Sequence, residues 1–205
     1  MKRITLLLII SFNSLLIAQE ISLYTSKSWM DNIETGNPVG YGIAFYLPVS
    51  IAGLKFEYSQ AENNRSYEGL LVYGFIVPPD RLIDETIEST FKLQSYELTV
   101  ALNNLVEYKK FALNLAAGGS WDNFKTKRIA AASLRTADFS ETKYGFLYSI
   151  SLSYEKIFDL PLKPYIQFKQ KFMYGTSEVT DVEQLFEGDI NSNQVQLGIY
   201  YIFSK

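Results

Sequence analysis

Near its C-terminal end the chain carries the run Gln196-Leu197-Gly198-Ile199-Tyr200-Tyr201-Ile202-Phe203, which alternates between two kinds of residue. One face of this run is apolar, and it consists of Val195, Leu197, Ile199, Tyr201 and Phe203. Successive side chains of a β-strand point to opposite sides of a sheet, so the alternation predicts a strand. In a soluble sheet the apolar side faces the core. In a membrane barrel it faces lipid, and the small or polar side lines the lumen.

The same alternation recurs along the chain. It is clear in six further runs, which are 39–47, 53–60, 94–104, 109–121, 143–155 and 164–174. Two runs are weaker: 21–30 has Lys27 on its apolar face, and 67–77 is apolar without clean alternation. Repeated runs of about ten alternating residues, separated by turn signals, are the sequence signature of a transmembrane β-barrel.

Nine candidate strands are one too many, because bacterial single-chain barrels have an even number of strands. Short periplasmic turns also alternate with longer external loops in such barrels. Counting back from the last strand, the alternation is kept when 21–30 is the first strand and 67–77 belongs to a long external connection, 61–93. The rival assignment makes 67–77 a strand. We therefore predict an all-β fold, an eight-stranded antiparallel up-and-down transmembrane β-barrel that follows an N-terminal signal peptide.

The first residues of the sequence have the pattern of an export signal. Lys2 and Arg3 precede a short apolar run, 4–17, and Ala18 provides a small residue at its end. The run is shorter than the ~20 residues that a membrane-spanning helix needs. The pattern predicts a signal peptide over 1–18 and a single barrel domain over 19–205.

Composition excludes several kinds of chemistry. The chain has no Cys and no His, so it offers neither a disulfide, nor a thiolate metal site, nor an imidazole base. Its formal charge of −3 is a weak argument against a nucleic-acid partner, which usually needs a concentrated basic face. No catalytic, cofactor-binding or metal-binding residues are predicted.

The faces opposite the apolar ones indicate what fills the barrel. They are built mainly of small residues and carry the charged residues Lys55, Glu57, Glu97, Lys143, Glu155, Lys169 and Lys171. The charges nearly cancel, and an eight-stranded barrel is just wide enough for its own side chains to fill it. A conducting pore needs more strands or a lining of one sign. We therefore predict a lumen filled by a Lys/Glu network.

The lipid-facing set contains one polar exception, Gln170, and most of its Tyr and Trp residues fall near the ends of the runs. Aromatic residues at strand ends are typical of the girdles at membrane interfaces, and cross-strand aromatic pairs in a soluble sheet have the same composition. The predicted external loop 122–142 carries Lys125, Lys127, Arg128 and Arg135. Such a loop either contacts anionic lipopolysaccharide headgroups or is simply solvated, and we expect the second.

The last run also resembles the C-terminal signal of outer-membrane barrels, which the barrel-assembly machinery reads. The matching positions are Gln196, Gly198, Tyr201 and Phe203, although Ser204 and Lys205 follow the final aromatic residue. Together with Gly42 and the segment Phe56-Glu57-Tyr58-Ser59, this run resembles the small OmpA/OmpX-like barrels. The likeness is closest to the PorT-like outer-membrane barrel domain of Bacteroidota-type bacteria.

The resemblance implies a non-enzymatic, monomeric protein in the outer membrane of a Gram-negative bacterium, surrounded by outer-membrane lipid. Its external loops are then the functional surface, in a structural or surface-interaction role without a cofactor. Enzymes of this architecture, the outer-membrane proteases, phospholipases and lipid deacylases, depend on a His, which this chain lacks. Two alternatives stay open: a narrow channel for small solutes, and a secreted lipocalin-like barrel that binds an apolar ligand.

Overall fold

Eight antiparallel strands form one closed sheet in the computed structural model, which describes residues 20–31, 35–49, 52–69, 85–132, 134, 136–155, 160–174 and 189–203. The strands are β1 (Glu20–Met30), β2 (Val39–Val49), β3 (Ala52–Gly69), β4 (Glu85–Tyr108), β5 (Phe111–Ala130), β6 (Thr136–Tyr154), β7 (Leu162–Tyr174) and β8 (Ile190–Ile202). Each strand pairs with the next along the chain, and β8 pairs with β1. The predicted fold class is confirmed.

The seam between the first and last strands closes the barrel. Cα partners run from Glu20↔Ile202 to Met30↔Ser192, so β1 pairs along its whole length. The choice of 21–30 as the first strand is thereby confirmed. Of the rival segment 67–77, the first three residues end β3, and 70–77 lie outside the described residues, as does the predicted signal peptide.

The two ends of the barrel differ in how the strands are joined. At one end lie the short connections 50–51, 109–110 and 155–161, together with the start of β1 and the end of β8. We call this the short-turn end, and the other the long-connection end. In outer-membrane barrels the short turns lie on the periplasmic side and the longer connections on the side of the cell exterior.

The outer surface of the barrel carries an apolar band. Leu23, Leu98 and Leu197 are more than half exposed although they are aliphatic, and they belong to the predicted lipid-facing set. A row of cross-strand aromatic neighbours marks the edge of this band: Tyr58, Tyr96, Trp121 and Tyr144, with successive ring centroids 5.1, 6.5 and 5.9 Å apart. An apolar exterior around a polar interior is the arrangement of a membrane barrel.

Above this row the polarity of the wall reverses. Strands β3 to β6 continue past the aromatic residues, and there the inward side chains include large apolar ones, with Phe91 and Phe124 almost completely buried beside polar residues such as Thr126. The outward side chains, among them Lys92 and Lys125, are polar and exposed. A sheet standing in water buries its apolar side. We call this part of β3–β6 the extension.

The extension corrects the predicted loops. Segments 61–93 and 122–142 were expected to be external loops, whereas 61–69, 85–93, 122–130 and 136–142 are strand. Because the apolar side changes from outward to inward at the aromatic row, a search for outward apolar residues stops there. The predicted turn 105–108 is also wrong. It lies within β4, after a bulge at which Asn104 adopts a positive φ of 53°, and the turn falls at 109–110.

Candidate functional site

An alternating chain of ion pairs crosses the middle of the lumen. Lys55 Nζ lies 3.2 Å from Glu57 Oε2, and Lys169 Nζ lies 3.2 Å from the same oxygen. Lys169 also contacts Glu97, whose second oxygen is 2.6 Å from Lys171 Nζ. The series ends at Asp122, with Oδ1 2.8 Å from Lys171 Nζ. We call these six residues the lumen network.

The register of the strands explains why these side chains meet. Lys55 and Glu57 are on β3, directly beside Glu97 on β4. Lys169 and Lys171 come from β7, on the other side of the barrel, and reach across the lumen to them. Residues two apart in a strand point to the same side of the sheet. Lys55 and Glu57 on β3 therefore both point into the lumen, as do Lys169 and Lys171 on β7.

Asp122 is held by more than one partner. Ser120 Oγ donates a hydrogen bond of 2.6 Å to its Oδ2, and Ser95 donates to its Oδ1. The sequence interpretation missed Asp122, because 122–142 was assigned to a loop. Asp122 directly follows the outward-facing Trp121, so the alternation of a strand predicts that its side chain points into the lumen. This alternation could have identified Asp122 from the sequence.

The lumen network is electrically balanced and buried. Its three lysines stand against three carboxylates, and every one of the six side chains is at most 8% exposed. Buried ion pairs need extra hydrogen bonds, and Lys55 Nζ donates to Gln167 Oε1 at 2.9 Å while Lys171 Nζ donates to Ser95 Oγ at 3.2 Å. Among the described residues, Glu57 Oε1 has no hydrogen-bond partner. These six side chains close the lumen at its middle.

Of the other two predicted lumen charges, Lys143 lies directly beside Asp122 in the sheet, and Glu155 lies beyond the end of the network. Lys143 is fully buried on β6 and pairs with Glu141 of the same strand, with Nζ 2.9 Å from Oε1. Glu155 is a correction: it follows the last residue of β6 at the short-turn end, is exposed, and donates its backbone N–H to the Lys110 carbonyl at 2.7 Å. The sheet alternation ends one residue earlier, at Tyr154.

Two small cavities flank the lumen network. The one on the short-turn side is about 30 Å³, with Lys55, Gln167 and Tyr200 in its wall. The one on the other side is about 10 Å³, beside Lys169, Lys171 and Met173. A water molecule needs roughly 10–15 Å³ of such space, so the two hold a few waters at most. Beyond the second cavity, the apolar cluster of Phe91, Phe124 and neighbouring residues fills the barrel.

Tyrosine rings fill the lumen toward the short-turn end, and they lie over glycines of adjacent strands. Tyr165 faces Gly198 across the β7–β8 pair, and a Cβ built on Gly198 would be 2.6 Å from the ring. Tyr24 covers Gly42 in the same way. Tyr165 also stacks on Tyr200 at a centroid distance of 4.4 Å. Gly198 and Gly42 thus each provide the space that a neighbouring ring occupies.

The four residues predicted as the assembly signal do not form one surface. Gln196 is buried in the lumen, where its Nε2 donates to Gln194 Oε1 at 3.0 Å, and Gly198 lies under Tyr165. Tyr201 faces outward, and Phe203 follows the end of β8, with their rings edge to face at 5.0 Å. Two positions therefore serve packing inside the barrel, and two are available on its rim.

The polar exception on the outer face has a partner on that face. Gln170 of β7 lies opposite Tyr148 of β6, and the Tyr148 hydroxyl donates to Gln170 Oε1. An amide that faces hydrocarbon is costly unless it is hydrogen-bonded, so this contact makes Gln170 tolerable. Gln60, above the aromatic row, is bonded in a similar way: the Tyr41 hydroxyl donates to Gln60 Oε1 at 3.2 Å.

Within the described residues, no three His, Cys, Asp or Glu side chains are grouped so as to hold a metal ion. No helix of the described part is both long and apolar enough to cross a membrane.

Comparison with known proteins finds a similarity of fold but none of sequence. No protein-family model matches the sequence, and no curated protein matches it. Among solved structures, Neisserial surface protein A (NspA) superposes with a TM-score of 0.60 at 11% identity, over 90% of this chain and 96% of NspA.

Two further structures agree with this match. A major outer membrane protein of Thermus thermophilus gives a TM-score of 0.56 at 11% identity, over 90% of this chain and 98% of that one. Ail, the attachment invasion locus protein of Yersinia pestis, gives 0.52 at 14% identity, over 90% and 97%. Identities this low establish the fold alone. The chain therefore has the fold of the small eight-stranded outer-membrane β-barrels.

Proposed function

We propose that this protein is a non-enzymatic, monomeric outer-membrane barrel of a Gram-negative bacterium, whose lumen is a structural core and whose external end interacts with partners. The observation that carries the proposal is the closed lumen. The lumen network spans it with balanced charges, and the apolar cluster around Phe91 and Phe124 lies beyond the network. Neither layer offers the one-signed lining that ion conduction favours.

The extension supports a role at the cell surface. A transmembrane strand needs roughly 9–11 residues, whereas β3 to β6 have 18 to 24. The surplus forms a folded wall with its own apolar interior beyond the membrane band. Ail, which has the same fold, is named for attachment and invasion, and one of its structures is a complex with the heparin analogue sucrose octasulfate. Surface interaction is thus compatible with this architecture.

The proposal includes kinship with the PorT-like barrels and recognition by the barrel-assembly machinery. Exposed Tyr201 and Phe203 at the end of β8 are the residues of the predicted signal that such machinery can reach. The proposal also includes the signal peptide 1–18, whose removal N-terminal sequencing of the mature protein detects.

The polar lumen and the apolar exterior oppose the lipocalin-like alternative, which requires the reverse arrangement. The channel alternative is decided by planar-bilayer recording on the purified, refolded protein. We expect a quiet baseline without discrete current steps between −100 and +100 mV. At either limit, moving one elementary charge across the membrane corresponds to about 2.3 kcal/mol. Reproducible conductance steps would replace the closed-lumen function with a pore.

A further inference from the structure

The outward face of the extension is ordered in rows. Cross-strand partners on β3, β4, β5 and β6 share a row, and every second row faces outward. The aromatic row is followed by an amide-rich row of Gln60, Gln94, Asn123 and Thr142, and then by a charged row of Glu62, Lys92, Lys125 and Ser140. Lys127 lies one outward position beyond Lys125.

The charged row contains an unfavourable pair. Lys92 and Lys125 are Cα partners with both side chains outward and exposed, and like charges directly opposite each other destabilise a sheet. Glu62 relieves this only in part, since it lies 3.5 Å from Lys92 and both groups are about half exposed. Within the described residues, neither Lys125 nor Lys127 forms an ion pair, but Lys127 has the exposed Asp138 as its Cα partner on β6, so Lys125 is the less compensated of the two. An anion between the two strands would relieve the repulsion.

The height of this pair above the membrane band points to the source of the anion. Lys92 lies four residues beyond Tyr96, and Lys125 lies four residues beyond Trp121. With a rise of about 3.3 Å per residue and a strand tilt of about 40°, both lie roughly 10 Å further along the barrel axis. Aromatic girdles sit at the headgroup level, and a headgroup layer is roughly 5–7 Å thick. Lysines reach toward such a layer with flexible stems.

The amide-rich row adds neutral hydrogen-bonding groups beneath the lysines. Thr142 Oγ1 donates to Asn123 Oδ1 at 2.9 Å, so the Asn123 amide group keeps its N–H donors. A phosphate is bound by ammonium groups, and the hydroxyls of an attached sugar are bound by amides. The surface is continuous with the aromatic row below it, which favours a lipid over a soluble ligand.

We propose that Lys92 and Lys125, supported by Asn123, bind the phosphate group of a phosphorylated saccharolipid in the outer leaflet. This inference rests on the proposed function in one respect, the outer-membrane location. It replaces the expectation that the charges around 122–142 belong to a solvated loop. Lys125, Lys127 and Arg128 instead lie on a strand, where the fold fixes the first two toward the outside.

The test uses the refolded full barrel in phosphatidylcholine nanodiscs that contain either diphosphoryl lipid A or the same lipid with both phosphates removed. Native mass spectrometry after release from the disc counts the lipid A retained. We expect the wild type to retain the phosphorylated form preferentially. The variant Lys92→Gln/Lys125→Gln should lose affinity by roughly thirtyfold, given about 1 kcal/mol per lysine near a charged surface.

Matched variants make the result specific. Lys109→Gln/Lys110→Gln removes the same charge at the short-turn end and should retain lipid like the wild type. Lys92→Arg/Lys125→Arg keeps the charge and should also retain it, which separates lost binding from lost folding. Heat-modifiable mobility on gels reports folding for every variant, and it reports the barrel itself independently of lipid binding.

Four outcomes would overturn the inference, and three of them concern lipid retention. In the first, the Lys92→Gln/Lys125→Gln variant retains as much phosphorylated lipid A as the wild type. In the second, the wild type retains phosphorylated and dephosphorylated lipid A equally. In the third, millimolar inorganic phosphate displaces all of the lipid, which would mean that the site takes any small anion. Saturable binding of a soluble sulfated glycan that requires these lysines, without lipid retention, would overturn it in favour of a glycan partner. None of these outcomes affects the closed lumen, which bilayer recording tests separately.

Discussion

Gly198 of β8 lies directly opposite Tyr165 of β7, and the tyrosine ring occupies the space where a side chain at 198 would be. Ser22 of β1 and the Tyr165 hydroxyl share a hydrogen bond of 2.8 Å, which fixes the ring in this position. The glycine that resembles part of an assembly signal is therefore also a packing requirement of the barrel.

Gly198→Val should lower the free energy of unfolding by about 1–3 kcal/mol, because the new side chain overlaps the Tyr165 ring. Urea unfolding in phosphatidylcholine vesicles measures this without any assembly machinery. Gly119→Ala is the control, since the nearest atom to its new Cβ is 3.6 Å away. If Gly198→Val unfolds like the wild type in vesicles, the packing role assigned to Gly198 is wrong.

Lys169→Met removes the cation between Glu57 and Glu97. Breaking a buried pair by deleting one partner costs about 3–5 kcal/mol, because a charge is left uncompensated. The variant should unfold at correspondingly lower urea concentration. Lys92→Met, which breaks the exposed pair with Glu62, should cost at most about 1 kcal/mol. Equal costs for the two variants would mean that the lumen network is not a buried unit.

Tyr148→Phe leaves the lipid-facing amide of Gln170 without its donor. Hydrogen bonds between membrane-embedded side chains contribute about 0.6 kcal/mol on average and up to about 1.7. We expect a loss in this range by urea unfolding, and near-complete recovery in Tyr148→Phe/Gln170→Leu. Tyr144→Phe, on the same strand at the membrane edge, is the control. A double variant that is less stable than Tyr148→Phe alone would contradict the assignment.

Phe124→Ala should loosen the extension, because Phe124 is fully buried among Phe91, Leu93 and Met173. Truncating a core phenylalanine costs about 3–5 kcal/mol. Limited proteolysis of intact cells should cut the variant faster at the long-connection end, while the membrane-embedded barrel stays resistant. Phe124→Leu, which keeps most of the volume, should resemble the wild type. Unchanged cleavage in Phe124→Ala would show that the extension is not held by this apolar interior.

The alternation pattern was sufficient to predict the strands where lipid is outside and polar side chains are inside. In β2, apolar Tyr41 and Ile43 alternate with small Gly42 and Ala44, and the prediction for this strand differs from the structure only at its end. The strand count was also predicted correctly, because the alternation of short and long connections selected 21–30.

The same rule failed where its physical premise failed. On β4 the outward residues change from apolar Leu98 and Tyr96 to polar Gln94 and Lys92, while inward Phe91 is apolar. When a strand passes from the membrane into water, its apolar face changes from the outside to the inside of the barrel. A pattern that requires outward apolar residues therefore assigns the part of the strand in water to a loop. Asp122 was missed for this reason, although it completes the lumen network.

At the other end, the predicted strand 94–104 stopped too early. Asn104 adopts its positive φ in a bulge, where its N–H donates to Asn114 Oδ1 at 2.9 Å. The strand then continues to Tyr108. Asparagine tolerates this backbone conformation in turns and in bulges alike, so residue type alone does not distinguish them.

The central claim is that this chain is a barrel embedded in the outer membrane. Cell fractionation followed by gel mobility before and after boiling tests it most directly. The account predicts that the protein stays with the outer membrane until detergent is added, and that the unboiled protein migrates differently from the boiled one. Recovery in the soluble periplasmic fraction, without detergent and without heat-modifiable mobility, would contradict it.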